Sequence, residues 1–96
     1  MQAKFNLGQT LATPGALAAL EESGESLGSL LNRHSQGEWG DLCDEDKALN
    51  DAALVNGTRL LSAYTTLSGV RLYVITEATD EDGNRAATTI LRTDEY

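Results

Sequence analysis

The stretch TRLLSAYTTLSGVRLYVITEATDEDGNRAATTILR, residues 58–92, decides the fold, because the hydrophobic period becomes two there and β-branched residues become common. Arg59 to Thr66, Val70 to Glu77 and Ala86 to Arg92 read as three strands. Leu67-Ser68-Gly69 is one turn, and Thr79 to Arg85, which contains Asp82-Gly83, is the other. Short links between consecutive strands predict an antiparallel meander. Alternation puts Leu72, Val74 and Thr76 on one side of the second strand and Arg71, Tyr73, Ile75 and Glu77 on the other. One face can pack on helices. The second, carrying Tyr73 and Ile75, is left to meet the N-terminal arm, a second subunit or another partner.

Upstream of residue 58 the period is helical. Thr13-Pro14 is a helix start, with Thr as N-cap and Pro at the first helical position, and the helix runs to about Glu22 before Gly24. Ser26 caps a second helix whose Leu27, Leu30, Leu31 and His34 share one face, and Gly37 stops it. Asp44 is the expected N-cap of a third helix ending at Asn56-Gly57, with Glu45 and Asp46 in its first turn. The first twelve residues, with Phe5, Leu7 and Leu11, read as an extended arm or a short edge strand. The expected fold is therefore α+β in a single domain, 1–96: three short N-terminal helices, a three-stranded antiparallel meander and an optional N-terminal edge strand.

Fifteen acidic residues against seven basic ones give the 96-residue chain a net charge of −8. Residues 1–57 hold nine acids and three bases (−6), and residues 58–96 hold six and four (−2), so the acidity belongs mainly to the helical part. Such a surface repels phosphate backbones and attracts basic proteins, so direct nucleic-acid binding is not expected. The densest patch is Glu38, Asp41, Asp44, Glu45, Asp46 and Asp51, with Trp39 among them. It suits a partner's basic groove, with Trp39 as a candidate anchor; the residue types taken alone favour a capped and solvated helix face with Trp39 in the core.

Other constellations are incomplete. Asp80-Glu81-Asp82-Gly83-Asn84 resembles the start of a calcium loop, but Leu91 stands where the bidentate acid belongs and strands flank it, so a hairpin turn is expected. His34 and Cys43 are the only His and Cys, which gives no zinc spacing and no supported nucleophilic pair; His34 reads as a helix C-terminal residue favoured by the dipole. No metal or cofactor is expected. Tyr64, Arg71, Tyr73 and Glu77, with Arg59, Arg85, Arg92 and Thr88 nearby, offer proton-moving and phosphate-stabilising groups of the kind that small sheet-displayed ribonucleases use. A lone cysteine and the lack of a long apolar run or signal-peptide pattern point to the reducing cytosol, with no membrane attachment.

The motifs Glu38-Trp39-Gly40-Asp41-Leu42, Asn50-Asp51-Ala52-Ala53-Leu54, Gly57 to Tyr64, Val74-Ile75-Thr76-Glu77-Ala78, Ala87-Thr88-Thr89-Ile90-Leu91 and Asp94-Glu95-Tyr96 resemble a family of short plasmid-related proteins. The resemblance covers nearly the whole chain, including the helix start at Ala12 to Leu17. It implies residence on bacterial mobile elements and carries over no catalytic residue. The chain departs from the family pattern in its longer acidic turn at Asp80 to Asn84 and at Arg92-Thr93, where an apolar residue and proline are expected.

Charge and resemblance together predict a non-enzymatic, acidic, protein-binding module, an inhibitor of a host nuclease or defence complex of the anti-restriction or anti-CRISPR type. Its partner is expected to have a basic surface. Two alternatives stand beside this: a sheet-displayed ribonuclease or toxin, and a homodimeric structural or regulatory subunit using the second sheet face. Monomer and homodimer are both compatible with the sequence.

Overall fold

In the computed structural model, which describes residues 3–96, capping chemistry sets the helix boundaries. Residues 1 and 2 of the expected arm lie outside that range. The Thr13 hydroxyl accepts the Ala16 N–H at 3.1 Å, Pro14 opens helix α1 (Pro14–Ser23), and Gly24 closes it at φ 73°. Helix α2 (Leu27–Ser35) starts on Ser26, whose hydroxyl accepts the Ser29 N–H at 3.1 Å. Helix α3 (Asp44–Asn56) differs from expectation at its start. Cys43, not Asp44, is the N-cap and makes no side-chain cap bond, while Asp44, Glu45 and Asp46 form the first turn. Their carboxylates there face the positive end of the helix dipole without capping it.

The strands are β1 (Gln9–Ala12), β2 (Leu60–Thr65), β3 (Arg71–Thr76) and β4 (Ala87–Arg92), followed by a 3-10 turn at Thr93–Glu95. They form one sheet in the order β1-β4-β3-β2. The meander β2-β3-β4 is antiparallel, as its short turns require, with Ser62 opposite Val74 and Val74 opposite Ile90. The N-terminal edge strand is present and runs parallel to β4, placing Gln9 beside Ala87 and Ala12 beside Ile90. A parallel neighbour needs a long crossover, and everything from α1 to β3 serves as that crossover.

One sheet face carries the core. Leu60, Ser62, Tyr64, Leu72, Val74, Thr76, Thr88 and Ile90 are buried there in strict alternation. Ala16, Ala19, Leu20 and Leu30 of α1 and α2 pack on its middle, and Trp39 and Ala53 pack beside Leu60. The second face is covered in part by the end of the chain itself. Tyr96 meets Tyr73 edge-on at 5.6 Å between centroids and accepts a hydrogen bond from Arg59 at 2.9 Å, and Ile75 and Leu91 are buried. Among the described residues no helix is long and apolar enough to cross a membrane.

The outer edge of β2 is finished by side chain and loop. The Asn50 amide donates to the Leu61 carbonyl at 2.7 Å and accepts the Leu61 N–H at 3.1 Å. Ala63 donates to the Trp39 carbonyl and accepts from the Asp41 N–H. Gly40, at φ 78°, lies so close to the Ala63 carbonyl that no side chain fits.

Candidate functional site

The acidic patch separates into structural and free members. Of the fifteen carboxylates, seven are held by side-chain bonds: Glu25, Glu38, Asp41, Asp51, Asp80, Asp94 and Glu95. Glu38 pairs with Arg33 at 2.9 Å, Asp41 accepts from the Thr65 hydroxyl at 2.9 Å, and Asp51 accepts from the Trp39 indole N–H at 3.0 Å. The other eight (15 − 7) make no such bond among the described residues, and three of them, Asp44, Glu45 and Asp46, are consecutive and exposed. Trp39 does not stand among them as an exposed anchor. It is 4% exposed, stacks on Phe5 and packs with Ala53 and Leu60, because so small a core needs its aromatic area.

Beside the free carboxylates lies a surface depression of about 280 Å3, lined by Leu42, Asp46, Leu49, Asn50, Arg59 and Leu61. Leu49 is 64% exposed on its rim. The first turn of α3 thus sets exposed negative charge beside a hollow whose lining is half leucine and half polar, the latter being Asp46, Asn50 and Arg59.

The sheet residues Tyr64, Arg71, Tyr73 and Glu77 are not brought together. Tyr64 faces the helices, is 2% exposed and donates its hydroxyl to the Glu38 carbonyl. Burial pushes its pKa up to about 12, against a lesser opposing effect of Arg33, whose guanidinium lies 4.5 Å from the ring centroid. Arg71 and Tyr73 face the opposite side, where Arg71 donates to the Asp41 carbonyl at 3.0 Å and Tyr73 is held by Tyr96. Glu77 follows the end of β3, roughly 20 Å from Arg71 at the usual strand rise.

Within the core the structure assembles a group that sequence reasoning left unconnected. His34, expected at a helix end beside the dipole, is completely buried. Its Nδ1 meets the Ser62 hydroxyl at 2.5 Å and its Nε2 the Thr76 hydroxyl at 2.8 Å; Thr76 meets Thr88 at 2.7 Å, and Thr88 donates to the Leu7 carbonyl at 2.7 Å. A carbonyl only accepts, so this last bond fixes the proton directions as far as Nε2, and the imidazole that burial keeps neutral at pH 7 leaves Nδ1 to accept. Thr88 gives its proton to Leu7, Thr76 gives its own to Thr88, His34 donates from Nε2 to Thr76, and Ser62 donates to Nδ1. The neutral Nε2–H tautomer follows. Burial, with the charge of Arg85 second, lowers the His34 pKa to about 4.

Arg85 closes this region. Read from sequence as one of the arginines beside the sheet that could stabilise phosphate, it is 7% exposed and donates to the carbonyls of Thr58 at 2.8 Å, Glu77 at 2.9 Å and Ala53 at 3.1 Å. The available signal was the period itself. His34 continues the apolar stripe of α2, and Ser62, Thr76 and Thr88 continue the core-facing alternation of their strands, so all four point inward.

Comparison with protein-family models, curated proteins and solved structures finds no match for this chain. Among the described residues no group of three or more His, Cys, Asp or Glu is arranged to hold a metal ion.

Proposed function

We propose that the chain is a non-enzymatic module that binds a protein with a basic surface through the first turn of α3. The observation that carries this reading is the sorting of the carboxylates. Asp44, Glu45 and Asp46 have no side-chain bonding partner among the described residues, yet they stand together beside the hollow to which Leu42, Leu49 and Leu61 contribute apolar lining and Asn50 and Arg59 polar lining. Charge of this density speeds encounter with a basic partner, and the hollow supplies apolar area once contact is made. Glu38, Asp41 and Asp51 flank the turn but serve the fold first. The resemblance to plasmid-related proteins supports a host nuclease or defence complex as the target, since such proteins have basic grooves for nucleic acid that a run of carboxylates can occupy.

The test is capture of binding proteins from the native host's lysate by immobilised chain, repeated across a salt series. Capture by the native sequence is expected to weaken as salt screens the charges. The neutral variant Asp44→Asn/Glu45→Gln/Asp46→Asn and the reversed variant with Lys at all three positions, which moves the net charge from −8 to −2, are expected to lose it. Circular dichroism reports whether each variant stays folded. Undiminished capture by both folded variants overturns the reading.

A further inference from the structure

The two edges of the sheet are finished in opposite ways. The outer groups of β2 are bonded by Asn50 and by the segment from Trp39 to Asp41. At the other edge, Gln9 and Thr13 donate to the Ala86 and Ile90 carbonyls flanking and within β4. In a parallel ladder with that phase, Gln9 and Leu11 face β4, while Thr10 and Ala12 turn their N–H and C=O groups away from it. Among the described residues nothing bonds these outward groups. Gln9, Thr10 and Leu11 are exposed. Open edges are ordinarily guarded by shortness, charge, proline, a bulge or a covering segment; β1 is short, at four residues, and has none of the other guards within it.

We propose that β1 pairs antiparallel with β1 of a second copy of this chain, joining the two four-stranded sheets into one across a two-fold axis at Leu11. In that register Thr10 of each copy lies opposite Ala12 of the other, so the outward N–H and C=O groups of both residues are exchanged. Leu11 faces its own mate in the close, non-hydrogen-bonded pair on the axis. It is 44% exposed in the single chain and lies on the Thr89 side of the sheet, so pairing covers it.

Charge selects a second copy as the occupant. Two chains at −8 repel one another over most of their surfaces, but no charged residue occurs between Phe5 and Leu20. The carboxylate that reaches this end of the sheet, Glu95, is bonded by the Thr13 hydroxyl and the Arg92 N–H. The free carboxylates of α3 belong to the β2 end of the strand order, so they remain available in the dimer. A basic partner drawn to those carboxylates finds no attraction at β1. Because the β2 edge is closed, association stops at two.

Sedimentation velocity on the full chain, from about 1 µM to about 1 mM to reach the weak range of small interfaces, tests the pairing. The mass is expected to rise from monomer to dimer and no further. Thr10→Pro removes an outward N–H while leaving the bonds to β4, and Leu11→Lys sets like charges on the axis. Each is expected to weaken association at least about tenfold with an unchanged circular dichroism spectrum, whereas Leu49→Asp, at the hollow beside α3, leaves it as it was. In the unaltered chain, amide exchange at Thr10 and Ala12 is expected to slow with concentration while Leu11, already bonded to β4, does not change. This readout decides even where a variant misfolds. A monomer at every concentration, a dimer that survives both folded β1 variants, concentration-independent exchange at Thr10 and Ala12, or growth beyond the dimer each overturns the proposal.

Discussion

Where α1 and α2 cross the sheet, Leu20, Leu30, Leu72, Val74 and Ile90 meet as plain hydrocarbon; toward α3 the same layer becomes Phe5, His34 and Trp39 over Ser62, Thr76 and Thr88. The first half is held by area removed from water, which has no direction and tolerates exchange of one aliphatic shape for another. The second half has direction. Its hydroxyls and imidazole are satisfied only in one register and one proton order, and among the described residues no buried side-chain polar atom lacks a partner. A slip of one residue in β3 or β4 would turn Thr76 or Thr88 to the opposite face and leave His34 unpaired in a dry interior, so this half specifies the sheet more narrowly than the apolar half.

Large truncations should strike both halves hardest. Leu72→Ala and Trp39→Ala are each expected to lower unfolding free energy by about 3 to 5 kcal/mol in urea titrations. A loss below about 1 kcal/mol for Trp39→Ala would mean that the aromatic end is not a core at all.

Acidity should separate the two halves next. The folded-state pKa of His34 is lowered to about 4 from 6.5, so between those values the unfolded chain binds the proton that the folded chain refuses. Stability is therefore full above the unfolded pKa and falls as pH drops toward 4. From pH 7.5 to pH 5 the loss is about 2 kcal/mol, read as a shift in the urea midpoint. His34→Leu should flatten that slope, while Leu72→Ala should keep it. A slope unchanged by His34→Leu would assign the titration to another group.

Thr88→Val tests the end of the hydrogen-bond chain. It removes the donor to Leu7 and the acceptor for Thr76 without changing shape, and about 1 to 2 kcal/mol should be lost at neutral pH. The smallest expected effect is at the rim of the aromatic half, where Asp51→Ala deprives the Trp39 indole of its acceptor and should cost about 1 kcal/mol by thermal unfolding. Neutralising Asp44, Glu45 and Asp46 should change stability less than the sum of their dipole interactions, each about 0.3 to 1 kcal/mol.

The hydrocarbon half was legible in the sequence because its signal is periodicity. The leucines of α1 and α2, the alternation through Leu72 and Val74 and the turn residues gave the order of elements directly, whereas both sides of the meander read as partly apolar and the core-facing one is settled by the packing of α1 and α2. The parallel placement of β1 beside β4 was not legible, since it depends on where a long crossover returns. The polar half was hidden for a related reason. Ser62, Thr76 and Thr88 look like surface residues of strands, and only their meeting with His34 from another element shows why polar groups stand at core positions. The acidic cluster was visible as composition. Its division into carboxylates that hold the fold and carboxylates that do not required Trp39, Arg33 and Thr65 to be located.

The pairing of β1 with β4 also bears on the order of events in folding. Gln9 and Ala87 are joined across almost the entire chain, whereas β2, β3 and β4 are joined by local turns. Closing the longest loop costs entropy that only a preformed meander can offset, so the amino-terminal arm should dock after the transition state. Substitutions in β1 should then accelerate unfolding and leave the refolding rate nearly unchanged, the pattern of a late contact in stopped-flow kinetics. Until the arm arrives, Thr88 has no Leu7 carbonyl to bond, and the buried polar row is completed only in the last step of assembly.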